Sequence, residues 1–201
     1  VTIAWPAVSV DPSRFEWWLE TLTQEHRSPL TGATQTQELR GARWACRVEY
    51  YHLQEDDCRL MWAFIGQMRG RAGRVSVPHF GRPRPHGVGG GSPTVDGAGQ
   101  TGATLNVASG PLSTSGWLVP GDFLGVNGRM HMVTATTNTD GTGDAAVAIA
   151  PPLGSSPANG AAVTLVLPTI TMMLGSDRNG WTYEPGMAGR HTFIFDLVEV
   201  L

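Results

Sequence analysis

The chain has 201 residues, a formal net charge of −3, 15% charged residues, 26 glycines and 14 prolines. So small a charge supplies no long-range field to gather nucleic acid, and 15% charged residues, against about 25% in an ordinary soluble domain, points with the turn residues to β structure. No apolar run approaches the ~20 residues of a membrane helix, the first ten residues lack a basic region followed by a hydrophobic stretch, and a conventional export signal is not expected.

In chain order, Phe15, Trp17 and Leu19 alternate with Glu16, Trp18 and Glu20, which predicts a strand with one polar face. Gln24 to Gly41 reads as a polar loop. From Arg43 the alternation sharpens, with Trp44, Cys46, Val48 and Tyr50 on one side, the signature of a strand with one face buried. Between Gln54 and Gly70 the period changes: Cys58, Met61, Trp62, Ile65 and Met68 share one helical face. Glu55, Asp56 and Asp57 at its start complement the helix dipole, and Gly70 suits the left-handed residue that closes it. Cys46 and Cys58 both fall at apolar positions and are expected as reduced, buried thiols, since two cysteines make neither a disulfide framework nor a zinc site.

Arg74 to Pro78 is a short strand, and the Gly-, Pro- and Arg-rich stretch Gly81 to Gly99 is expected to pack no core and reads as a linker or extended loop. Beyond it the composition shifts to Val, Thr, Ala and Gly. Thr104 to Ala108 is a strand, and Phe123 to Val126 joins Arg129 to Thr134 across Asn127-Gly128, the pair that favours a type I′ hairpin. A second hairpin is expected around Asp140 to Gly143, leading into Ala145 to Ala150, a run that Pro151-Pro152 stops. Ala161 to Leu167, Thr169 to Leu174 and Thr192 to Leu201 complete the strands, with turns at Asn179-Gly180 and Pro185-Gly186. The expected fold is mainly β with one helix: a β-sandwich made of residues 1–86 and 169–201, interrupted by a small β-barrel over 87–168.

Few constellations carry chemistry. Gly97, Gly99 and Gly102 spell G-x-G-x-x-G, but they follow a linker and precede a strand, so they read as a turn and not as a dinucleotide site. The six histidines lack metal-ligand spacing and read as surface residues. Glu55, Asp56 and Asp57 diverge around a helix, and no nucleophile elbow occurs. No catalytic residue, metal or cofactor is assigned, and an enzyme is not expected. Arg69, Arg71, Arg74, Arg82 and Arg84 form the one local charge excess; with few aromatics nearby they read as a solvated or subunit-interface patch, not as a nucleic-acid site.

The strand Trp44 to Tyr50, the helix with Trp62 and Phe64, the strand ending Val75 to Pro78 and the last strand Phe193 to Leu201 together resemble the belt domain of siphophage distal tail proteins. The inserted stretch is similar too: Gly102 to Val107, Val119-Pro120-Gly121-Asp122-Phe123, Asn127 to Val133, Ala150-Pro151-Pro152-Leu153 and Gly160 to Leu167 match a phrase order of many phage tail proteins. In T5-type members an OB-like barrel is inserted into the belt domain. The resemblance implies a virion protein, assembled in the host cytoplasm, that forms a homohexameric ring at the distal end of a long non-contractile tail. Implied partners are copies of itself, the tail tube protein, and the tail-tip hub and tape-measure proteins, with DNA only passing through the channel. A host-surface carbohydrate is a further implied partner of the barrel, and another minor tail or tail-completion protein is the rival within the class. A ring needs unlike patches on opposite flanks of one subunit; Trp17 and Trp18, the Arg69, Arg71 and Arg74 set, and Trp181 with Tyr183 are the candidates, core packing being the other reading of the aromatics.

Overall fold

A computed structural model of the chain describes residues 2–185 and 190–201. The protein is mainly β with one helix, and its two curled sheets form half-barrels. The larger sheet contains β1 (Thr2–Ala4), β2 (Arg14–Arg27), β3 (Thr34–Leu53), β4 (Arg74–Pro78), β10 (Thr169–Leu174), β11 (Trp181–Glu184) and β12 (Arg190–Glu199). The smaller holds β5 (Thr94–Val95), β6 (Gly102–Ala108), β7 (Phe123–Val126), β8 (Arg129–Val133) and β9 (Ala145–Leu153). The larger is ordered β1-β4-β10-β12-β3-β2, and the smaller β5-β6-β9-β8-β7.

Strand β12 organises the larger sheet. One flank pairs with β3, from His191 opposite Leu53 to Val198 opposite Ala45, while the other meets β11 at its start and β10 at its end. Its apolar residues Phe193, Phe195 and Leu197 are buried with Cys46, Val48 and Tyr50 of β3, and helix α1 (Glu55–Met68) covers that face with Cys58, Met61, Phe64 and Met68. Trp5, just after β1, packs at 5.3 Å from Phe64 and donates its indole N–H to the Tyr50 hydroxyl at 3.2 Å. Cys46 and Cys58 are free, buried thiols.

Asp57 does more than offset the helix dipole: its buried carboxylate accepts the Ser9 amide at 3.0 Å and the Ser9 hydroxyl at 2.6 Å, tying the N-terminal segment to α1. The helix closes on two left-handed residues, Arg69 at φ 50° and Gly70 at φ 65°, so the arginine precedes the glycine into that conformation.

Four local expectations are corrected. Gln24 to Gly41 is no loop: β2 and β3 continue as a ribbon to a turn at Ser28–Ala33, paired from Leu22 opposite Leu39 to Arg27 opposite Thr34. Both faces of that ribbon meet solvent, so no apolar alternation marks it. Pro151-Pro152 does not stop β9, which runs on to Leu153 beside Gly102; the register shift between Gly102 and Thr104 leaves room for residues without an N–H. Ala161 to Leu167 forms no strand, only bridges at Ala162 to Thr94 and at Thr164 to Gly125 that close the smaller sheet. Within the linker, Val95 is fully packed in the second core.

The turn Asn127-Gly128 has φ 51° and 73°, as a type I′ hairpin requires, and Gly128 accepts the Thr171 amide of β10 at 2.9 Å. Around it the two sheets share side chains. Leu124, Val126 and Val133 fill the second core, whereas Phe123 and Met130, from the same hairpin, belong to the first. Phe123 lies 4.4 Å from the His79 ring and 5.7 Å from Trp44, whose indole N–H bonds the Met130 carbonyl at 2.8 Å. Glu199 completes the joint: its fully buried carboxylate accepts Arg129 Nε at 2.6 Å and the Trp44 amide at 2.9 Å. Asp122, also buried, accepts the amides of His86, Gly87 and Val119 at 2.6, 3.1 and 2.9 Å, pinning the linker to the turn before β7.

Candidate subunit interface

The arm beyond the sheet comes first. From Thr21 to Arg27 and from Thr34 to Leu39 every described side chain is exposed, and neither strand has a second neighbour among the described residues, because β12 pairs β3 only from Ala45 onward. Cross-strand partners share a face. One face therefore carries Leu22 with Leu39, Gln24 with Gln37 and His26 with Gln35; the other carries Thr23 with Glu38, Glu25 with Thr36 and Arg27 with Thr34. Glu25 and Glu38 are diagonal neighbours, and neither forms an ion pair with a described residue. A two-stranded ribbon on its own is only marginally stable in water, and this one is anchored where β2 and β3 enter the larger sheet.

The second feature is the edge strand β11, which among the described residues pairs only with β12. Trp181 and Tyr183 lie half-exposed on the face that α1 covers, with ring centroids 5.5 Å from Trp62 and 4.9 Å from His191. Trp62 Nε1 and His191 Nδ1 are both buried without a hydrogen-bond partner among the described residues. Beside this edge, the turn after α1 meets the loop before β11: the Arg71 amide bonds Asp177 Oδ1 at 2.8 Å. Arg69, Arg71 and Arg178 are exposed there and form no ion pair with a described residue.

The structure thus separates the residues singled out by sequence. Trp181, Tyr183, Arg69 and Arg71 border one region. Arg74 is committed locally, its guanidinium donating to the carbonyls of Arg71, Ala72 and Gly73 at 2.9, 3.2 and 2.9 Å. Trp17 is half-buried against Trp44 and His79, at 5.5 and 5.0 Å, whereas Trp18 points to the opposite, exposed face. Sequence reasoning missed the arm, Trp62 and His191; the Thr34-Gln35-Thr36-Gln37 alternation of a strand-favouring residue was the available signal for the arm.

Three histidines expected at the surface, His79, His131 and His191, are buried. Burial pushes His79 and His131 down to about 4; a hydrogen bond from the His131 ring to the Pro151 carbonyl, at 2.7 Å, opposes that shift, and Arg129 adds to it. Gly97 and Gly99 have positive φ and lead into β6, whose first residue, Gly102, has positive φ as well, as the turn reading requires.

The smaller sheet carries an open groove of about 510 Å³ lined by Asp96, Asn106, Asn138, Asp140 and Asp144, with Val107 and two alanines as its apolar wall. Asp140 is held below the usual carboxylate range by the Thr142 hydroxyl and the amides of Asp144 and Thr142, so it serves its own loop. No group of three or more His, Cys, Asp or Glu residues is arranged to hold a metal among the described residues. No helix among them is long and apolar enough to cross a membrane. Compared with protein-family models and with curated proteins, the sequence matches none.

Proposed function

We propose that the chain is a non-enzymatic structural subunit that closes into a homohexameric ring at the distal end of a long non-contractile phage tail, joining tail tube to tail-tip hub. The uncovered arm carries this reading. A protein that spends some twenty residues on a ribbon with no covering layer has a surface suited to another chain, and a ring built head to tail needs such a surface at one flank. The resemblance of the belt-like and inserted segments to distal tail proteins supplies the place of assembly. Copies of the chain are its first partners, and the tube, hub and tape-measure proteins lie above and below the ring.

Negative-stain and cryo-electron microscopy of the purified chain and of virions test the reading. A six-fold annulus at the tail tip is the expected result; a position at the head-proximal end, as for a tail-completion protein, refutes it. The groove of the smaller sheet favours a second reading, a carbohydrate-binding tail module, because amide and carboxylate groups there suit sugar hydroxyls. None of its lining residues is aromatic, so it offers no ring for stacking, and selective glycan-array binding by the full chain is what would raise this reading above the first.

A further inference from the structure

We infer that the hairpin arm of one copy docks on the free edge of β11 of the next copy, where its Glu25 and Glu38 meet Arg69, Arg71 and Arg178. The inference rests on the ring reading and names the two surfaces that would make it. The topology places them apart on one molecule. The arm leaves the sheet beyond Arg43, at the end where β12 finishes near Val198, whereas β11 pairs the start of β12 opposite the far end of β3. Strand β2 and strand β11 also lie on opposite flanks of β12. Donor and acceptor thus occupy diagonal corners of one sheet. No chain can join its own two corners, and repeated head-to-tail pairing between copies generates a ring or a filament.

Chemistry selects a second copy over an unrelated partner. The arm offers an edge of unpaired backbone groups with two carboxylates that form no ion pair with a described residue; β11 offers an edge that pairs with no further strand among the described residues, with three exposed guanidinium groups beside it against the carboxylates of Asp177 and of Glu184 on the strand itself. The two surfaces can therefore pair edge to edge, with carboxylates of one beside guanidinium groups of the other. The arm, Thr21 to Gly41, also has the residue count of one side of a standard interface, roughly 20–30 residues. Half-exposed Trp181 and Tyr183 would lose their remaining contact with water beneath it, as aromatic anchors of interfaces do.

A charge exchange on the full chain, read by native mass spectrometry and light scattering across concentration, tests this. All five residues are exposed, so circular dichroism should show every variant folded. Glu25→Arg with Glu38→Arg, and separately Arg69→Glu with Arg71→Glu and Arg178→Glu, should each raise the assembly midpoint about tenfold or more, and combining the two sets should restore it. A wild-type chain that stays monomeric overturns both this inference and the ring. An oligomer that ignores both sets, or that responds to the arm set alone without rescue, overturns the β11 acceptor and leaves the ring standing.

Discussion

Replacing Arg129 by Met breaks the joint between the two sheets at its most exposed-to-consequence point. The Glu199 side chain is 0% exposed and Arg129 is 14% exposed, so the substitution strands a carboxylate that water cannot reach. The Trp44 amide at 2.9 Å still donates to Oε2, but Oε1 loses its partner. Breaking one side of a buried pair costs about 3–5 kcal/mol, because the remaining charge stays desolvated. At about 2–4 °C per kcal/mol for a chain of this size, the midpoint should fall by roughly 6–20 °C. Glu199→Met together with Arg129→Met removes both charges and should recover most of the loss, since an ion pair and well-packed apolar residues are often of similar stability. Chemical denaturation of wild type, both single variants and the double, followed by tryptophan fluorescence, yields the cycle. Trp44 and Trp117 lie in different cores and report on both. If Arg129→Met costs under about 1 kcal/mol, below the range for a buried pair, the pair does not hold the sheets together and the reasoning fails.

Asp122→Ala should cost about 3 kcal/mol or more, because three backbone amides lose their common acceptor, and hydrogen exchange should rise selectively at His86, Gly87 and Val119; unchanged exchange there refutes the role. Acid should weaken the fold through His79 and His131. Their folded values, lowered from 6.5 to about 4, mean that the unfolded chain takes up protons first, so their contribution is intact above pH 6.5 and lost as pH falls toward 4, by roughly 3 kcal/mol each at full effect. Proton uptake on unfolding at pH 5 should drop when His79→Asn and His131→Asn are combined, and equal uptake in wild type and variant rules this out.

The parts of the fold that could be read in the sequence are those where one face is dry and the other wet. Trp44 to Tyr50, the α1 face and the 123–133 hairpin each leave a period in the residue order because burial selects every second or every third and fourth side chain. The arm leaves none, since Gln24, Thr36 and their neighbours face water on both sides. Pro151 and Pro152 misled for a related reason: a proline excludes a donor at one position, not a strand, and the shifted register of β9 needed no donor there. The histidines were illegible because their burial depends on contacts such as Phe123 against His79, 44 residues apart in the chain by number and set only by the docking of two sheets. At the candidate interface, the surplus of Trp181 and Tyr183 was visible as composition, whereas their distance from Trp18 and the commitment of Arg74 to three carbonyls were products of folding.

The chain departs for the smaller sheet after Pro78 and comes back at Thr169, and these two residues sit opposite each other in adjoining strands. A detour of ninety positions thus begins and ends at one rung of the ladder. The strand order of the host sheet therefore does not depend on how long the intervening chain is, whereas its packing does, because Phe123, Met130 and Arg129 reach back from that detour into the host core.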